Sequence, residues 1–208
     1  MFAIGIPTLN RADLLIPSIH KYVHDFKDVE IHIIDNGKQG LKFDYPNVFV
    51  YEQENNLGVA SSWNELCTII FKTKKKDWAL LINDDVYLGY KTETIEDVIH
   101  SSKVGIVQSL LNFSVLLLNI NTYVTVGEFD SKFYPAYYED SDYLYRMKLI
   151  GLRQEVDTRL NPKDARVSQT YEKAPEFVNN AMRYSRERYI EKWGNVPLLE
   201  RYTTPFNK

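Results

Sequence analysis

The sequence predicts an α/β domain built on a mixed, mostly parallel central sheet flanked by helices. Three observations point there. Short, continuous apolar runs of strand length alternate with segments of helical periodicity through the first hundred residues, the pattern of a parallel sheet with helices on both faces. Each apolar run ends in polar residues, as strands do where they leave a core. The composition, 44% hydrophobic and 25% charged over 208 residues, is that of a soluble globular chain large enough to bury a sizeable core, and too short for two full domains.

Phe2–Pro7 reads as a buried first strand, followed by the polar edge Thr8, Asn10 and Arg11. Leu14, Leu15, Ile19, Val23 and Phe26 lie close to helical spacing despite Pro17 and predict the first helix. Glu30–Asp35 is a second strand stopped by the Asn36-Gly37 turn, and Val48–Glu52 a third. Ala60–Lys72 is an amphipathic helix, and Trp78–Ile82 a fourth strand running into Asn83-Asp84-Asp85. The second half changes character. After a helix near Thr94–Ser101 come two apolar runs, Gly105–Leu111 and Val115–Ile120, then a turn at Gly127–Asp130 and the aromatic and acidic segment Phe133–Tyr145. This half predicts added mixed strands and the second wall of a cleft. Phe177, Ala181, Tyr184, Tyr189 and Trp193 predict a C-terminal helix over Glu176–Lys192, whose arginines read as a solvated face. The whole is expected to be one domain over 1–208: a ligand-binding half at 1–100, a second half at 101–175 and a helix with tail at 176–208.

A formal net charge of -3 offers no long-range attraction for phosphate backbones, which argues against a nucleic-acid partner. The single cysteine, Cys67, excludes an intrachain disulfide and a zinc framework, so a reducing, cytoplasmic setting is expected. Between Leu66 and Ile69 it reads as core. Residues 105–120 carry too many polar groups for a membrane span. The lysines at Lys72 and Lys74–Lys76 read as a solvated helix end.

In an open parallel sheet, ligands bind beyond the carboxyl ends of the strands. The polar residues that end the strands are therefore the candidates: Thr8, Asn10 and Arg11, then Asp35, then Asn83, Asp84 and Asp85. Neither GxGxxG nor GxxxxGK[ST] follows the first strand, which disfavours a dinucleotide site and a P-loop. Adjacent carboxylates such as Asp84 and Asp85 repel, and are best tolerated in water or around a cation. At the end of an apolar strand the pair reads as a ligand edge more readily than as a solvated turn. Asp140–Arg146 can begin a helix, and capping explains some of its acids. It explains less well a cluster embedded in Tyr137, Tyr138, Tyr143 and Tyr145, since aromatic faces beside carboxylates are what a sugar site needs.

These residues carry a resemblance. Ile4–Arg11, Ile33–Gly37, Asn55–Ala60 with Asn64, Leu81–Val86, and Gly127–Asp130 with Glu139–Asp142 and Arg146 together resemble, in order, the motif series of GT-A-fold, family 2 inverting glycosyltransferases over about three quarters of the chain. The resemblance implies a GT-A-like nucleotide-diphospho-sugar transferase fold. It also implies that Pro7, Thr8, Asn10 and Arg11 form a loop contacting a nucleotide and that Asp35 reads a uracil or thymine through N3–H. Asn56, Gly58, Ala60 and Asn64 would pass beneath that nucleotide. Asn83-Asp84-Asp85 matches the DxD position with its first acid replaced by Asn83, so Asn83 and Asp84 would lie near ribose and diphosphate and Asp85 would bind Mn²⁺ or Mg²⁺. Asp140 matches the catalytic base and Glu139 its acceptor-side neighbour, with Tyr137, Tyr138 and Asp142 toward the sugar and acceptor.

Many relatives supply a further histidine to the metal. Here His20, His24, His32 and His100 all precede the acidic pair, and none stands near Arg166–Gln169. The ion would thus be held weakly, by one carboxylate, diphosphate and waters. The expected reaction is transfer of a sugar from a UDP- or dTDP-sugar to a glycan hydroxyl, with inversion. The size and motifs also resemble, more distantly, glycosyltransferase domains carried by large viruses of algae, which would place the chain in the host cytoplasm as part of a longer protein. Two alternatives stay open: a non-catalytic nucleotide-sugar or glycan-binding module of the same fold, and a sugar nucleotidyltransferase, whose usual Gly-rich loop Thr8–Arg11 lacks.

Overall fold

The computed structural model describes residues 1–165 and 175–208. A seven-stranded sheet forms the centre, in the order β3-β2-β1-β4-β7-β6-β8. These strands are β1 (Phe2–Thr8), β2 (Ile31–Asp35), β3 (Val48–Glu52), β4 (Trp78–Ile82), β6 (Ile106–Ser109), β7 (Asn112–Asn119) and β8 (Glu155–Val156). β1 pairs in parallel with both β2 and β4, and β2 in parallel with β3. β7 is antiparallel to β4 and β6, and β6 parallel to β8. A separate ribbon joins β5 (Val86–Tyr87) to β9 (Asp164–Ala165).

Every residue of β1 and β2 is buried, because helices cover both sheet faces. Side chains two apart share a face. Ile4, Ile6, Ile31, Ile33, Leu80 and Ile82 therefore meet Leu15, Ile19 and Tyr22 of α1 (Ala12–Asp25) and Ile95 and Val98 of α3 (Thr92–Ser101). Ala3, Ile34, Ala79, Leu81 and Leu116 face the other way, onto Trp63, Leu66 and Cys67 of α2 (Val59–Cys67) and onto Tyr143 and Met147 of α5 (Glu139–Leu149). Cys67 is fully buried, as a core residue should be.

Three segments depart from the sequence reading. The helix expected to run to Lys72 is α-helical only to Cys67 and widens into a π-turn at Thr68–Thr73, which lets three successive apolar residues, Ile69, Ile70 and Phe71, all be buried. The strand expected to reach Ile120 stops at Asn119, whose side chain accepts the Asn121 N–H and caps a short helix, α4 (Ile120–Val126). The basic residues of the last helix, α6 (Pro175–Trp193), do not form a uniformly solvated face. Lys192 is buried and bridges Asp130 at 2.8 Å and Asp142 at 2.6 Å, while Arg188 reaches Asp130 at 2.9 Å. Among the described residues no helix is long and apolar enough to cross a membrane.

Asp142 is fully buried and receives, besides Lys192, the Arg146 Nε at 2.9 Å and the Trp193 Nε1 at 2.8 Å. Burial alone would raise the Asp130 carboxyl, but Lys192, the Lys132 N–H and Arg188 outweigh it and hold the carboxyl near 2. Removing one partner from such a network leaves a buried charge poorly compensated. Lys192→Met is therefore expected to cost about 3–5 kcal/mol in chemical denaturation. A change close to zero would show that the bridge is dispensable.

Candidate functional site

The strand order reverses at β1, which sends the chain to β2 on one side and has β4 on the other. A crevice opens beyond the carboxyl ends of strands at such a point. Here it is a cleft of about 650 Å³. One wall carries Pro7, Thr8 and Arg11 from the end of β1 and Asn83, Asp84 and Asp85 from the end of β4. The opposite wall carries Tyr137, Tyr138, Glu139 and Asp140, where the chain enters α5. Asn56 and Gly58 complete it from the start of α2.

Each wall is pinned by backbone contacts. The Asn83 N–H donates to the Ser114 carbonyl on β7 at 3.1 Å, and pairing of β5 with β9 starts at Val86, immediately after Asp85. Opposite, the Pro135 carbonyl accepts the Val59 N–H at 2.9 Å, and the Ala136 carbonyl accepts the Ser185 hydroxyl of α6 at 2.9 Å. Gly58 sits at φ 77° and ψ 170°, and a Cβ there would lie 2.8 Å from the Pro135 carbonyl oxygen, so the walls approach this closely only with glycine. Tyr137 and Tyr138 both occupy the left-handed region, at φ 77° and 67°, which is costly for side-chain-bearing residues and turns the backbone sharply into α5.

The cleft is rich in carboxyl groups with raised pKa values. Burial lifts Asp84 to about 6; the Thr8 hydroxyl, Arg11 and the Leu9 N–H oppose the shift, and Asp85 adds to it. Asp85 is raised by burial against its own N–H and Arg11. Glu139, 6% exposed, rises to about 8 through burial and the neighbouring Asp140. Asp140 is raised by burial too, but Ser141 counters it by donating its N–H at 2.6 Å and its hydroxyl at 3.3 Å to Oδ1. Burial raises Tyr137, and so do Glu139 and Asp85, which places that phenol in the field of both walls.

Five of the expected site residues do not line this cleft. Asp35 is fully buried, and its carboxylate accepts the N–H groups of Gly37 at 2.9 Å and Gln39 at 2.8 Å and the Gln39 Nε2 at 2.9 Å. It shapes its own turn, and Asn36 takes the place in the wall. Asn10 is exposed and packs against Gly37. Ala60 belongs to the core. Asn64 clamps Phe129 by donating to its carbonyl and accepting its N–H, both at 2.9 Å, and so fastens the Gly127–Asp130 turn to α2. Asp142 is consumed by the ion network. The Arg166–Gln169 stretch lies outside the described residues. Cleft residues that the sequence did not single out include Trp63, which helical spacing assigns to the core, and the hairpin tip Leu110-Leu111.

Among the described residues no three His, Cys, Asp or Glu side chains form a group able to hold a metal. Asp84 and Asp85 are hard oxygen donors, and they suit a hard cation that takes its remaining ligands from a bound anion.

No protein-family model matches the chain, and no curated protein matches it in sequence. Its fold is that of glycosyltransferases. Among similar solved structures is the mannosyltransferase PcManGT from Pyrobaculum calidifontis, in complex with GDP-Man and Mn²⁺, with a TM-score of 0.64 at 12% identity over 91% of this chain. Another is S. aureus TarS, at 0.57 and 14% over 91% of the chain. The chain spans 64% of the first protein and 39% of the second.

A carboxyl that binds its proton more tightly when folded than when unfolded stabilises the fold at low pH only. The contribution of Glu139 is present below the ordinary value of 4.5 and is lost as the pH rises through about 8. Glu139→Gln is therefore expected to gain stability relative to the parent between pH 5 and 9, by on the order of 2 kcal/mol at the upper end. Parallel stability-against-pH curves would contradict this.

Proposed function

We propose that the cleft transfers a sugar from a nucleoside diphosphate donor to a hydroxyl of a glycan acceptor, with inversion, as in enzymes of the family 2 type. The observation that carries this reading is the placement of two acidic pairs on facing walls, Asp84-Asp85 at the end of β4 and Glu139-Asp140 at the start of α5. A nucleotide sugar needs both: a place for its diphosphate and, across from it, a base for the incoming hydroxyl. The shared fold supports the reading, as does the GDP-Man bound by the mannosyltransferase.

Asp140 takes the acceptor proton as the hydroxyl oxygen attacks the anomeric carbon. The pKa pattern favours it over Glu139. Two carboxyls side by side do not both ionise readily. Glu139, raised to about 8, keeps the proton at neutral pH, while the hydrogen bonds from Ser141 favour the charge on Asp140. Thr8, Arg11, Asn83 and Asp84 surround the diphosphate and ribose, Asn56 and Gly58 lie beneath the nucleotide, and Tyr137 and Tyr138 face the sugars. Asp85, with the donor's own diphosphate, would hold Mn²⁺ or Mg²⁺, an ion that offsets charge on the departing group. UDP and dTDP remain the expected donor nucleotides, but Asp35 would have to release Gln39 to read the base. A panel of UDP-, dTDP- and GDP-sugars in thermal shift decides the preference.

Asp140→Asn keeps the shape and removes the proton acceptor. Donor binding should survive while transfer falls by roughly 10²–10⁴. Full turnover in this variant, or an NMR coupling constant showing a retained anomeric configuration, would remove Asp140 from the role. Chelation provides a separate check. Mg²⁺ should strengthen UDP binding far more than uridine binding in calorimetry, and Asp85→Asn should abolish the difference; equal UDP affinity in EDTA would count against a shared ion.

A further inference from the structure

Three large apolar side chains that line the cleft are exposed: Leu110 at 63%, Leu111 at 44% and Phe177, in the first turn of α6, at 47%. Exposed leucines scattered singly are ordinary, but several converging on one cleft mark a ligand surface. Leu110 and Leu111 form the tip between β6 and β7, where turns usually carry polar residues or glycine. The tip is held firmly. The Leu110 N–H donates to Asn161 Oδ1 at 2.9 Å and the Leu111 N–H to Ser109 Oγ at 3.1 Å, while the buried Phe113 anchors the strand that follows.

The sheet order decides which part of a substrate the tip meets. β4 lies between β1 and β7, and β7 runs antiparallel to β4 with Val115 opposite Ile82. The tip therefore stands beyond the carboxyl end of β4 on the side away from β1, one or two strand spacings, roughly 5–10 Å, from Asn83–Asp85. Thr8, Arg11 and Asn36, the polar residues suited to a nucleotide, lie on the other side, at the ends of β1 and β2. A donor laid across β2, β1 and β4 leaves the tip to the acceptor. Leucine side chains offer hydroxyl groups no hydrogen bond, so what rests on them is apolar. Among the described residues of the cleft Arg11 is the one cation, and it stands on the β1 side. An anionic acceptor entering from the β7 side would meet the carboxyls of Glu139 and Asp140 without a described cation to offset it.

We infer that the acceptor is an uncharged glycoside with an apolar alkyl or aryl aglycone, its hydroxyl directed to Asp140 and its aglycone packed on Leu110 and Leu111. This rests on the glycosyltransferase reading of the cleft and adds the class of acceptor to it.

The test saturates the full chain with Mn²⁺ and UDP or GDP, whichever binds. Methyl and octyl glycosides of glucose, galactose, mannose and xylose, and octyl phosphate, are then titrated by calorimetry below their micellar concentrations. For at least one sugar the octyl glycoside should bind roughly tenfold tighter than the methyl glycoside, the gain from burying about two methylenes, and tighter than octyl phosphate. Leu110→Ser combined with Leu111→Ser should remove the octyl gain and leave nucleotide affinity unchanged. Three results overturn the inference and leave the donor reading of the cleft intact: nucleotide binding with no octyl preference, a preference that survives in the double variant, or octyl phosphate binding as tightly as any octyl glycoside. If neither nucleotide binds, both fall. Should the double variant fail to fold, Leu110→Ser alone, at the more exposed leucine, decides: the octyl preference should fall roughly threefold, and an unchanged preference overturns the inference.

Discussion

The arrangement of the cleft depends on one buried carboxylate. Asp142 has no exposed surface, and a lone ionised carboxylate there would be prohibitive. It is tolerated because Arg146, Lys192 and Trp193 all donate to it, while Lys192 also bridges to Asp130 with Arg188 alongside. Three pieces of chain are thereby locked together: α5, α6 and the Gly127–Asp130 turn. Arg146 extends the lock by donating to the Val126 and Glu128 carbonyls, both at 2.9 Å. Asp142 stands two residues after Asp140. Whatever fixes the first turns of α5 thus fixes the acidic pair against the end of β4.

With that wall held, the properties of the cleft follow from burial. Among the described residues four carboxyl groups share it, all raised by burial, and a neighbouring negative charge adds to the shift at Asp84 and Glu139. Arg11, 5% exposed, opposes the shift at Asp84 and Asp85 on the β4 wall. The β4 side sets two raised carboxyls beside the Arg11 guanidinium, and in the proposed reaction it would take the diphosphate with its ion. The α5 side keeps the proton on Glu139, raised to about 8, and in the proposed reaction would supply the base, Asp140. Strain sits at the same place: two left-handed tyrosines and Gly58, where the walls meet.

Much of the sheet was legible in the sequence, because a strand covered on both faces must be apolar throughout. Trp78–Ile82 matches the observed bounds for that reason, and the half-buried edge strand Val48–Glu52 matches its bounds as well. The cleft residues that end strands, Thr8, Arg11 and Asn83–Asp85, were legible for the same reason: they are polar where an apolar run stops. Asp35 and Asp142 look no different in sequence. What separates them from Asp84 and Asp140 is where their partners fold. Gln39 curls back onto Asp35, and Lys192 and Trp193 return to Asp142 from fifty residues away. Trp63 was illegible in the opposite sense, since its helical spacing assigns it to the core while it also lines the cleft.

A crystal structure of the chain with a nucleoside diphosphate and Mn²⁺ tests the central claim most directly, which is that the two acidic pairs face each other across one donor. The account predicts the diphosphate and its ion at Asp85, beyond the carboxyl ends of β1 and β4, with the terminal phosphate directed toward Asp140. A nucleotide bound outside the cleft, or one whose terminal phosphate points away from α5, would contradict it.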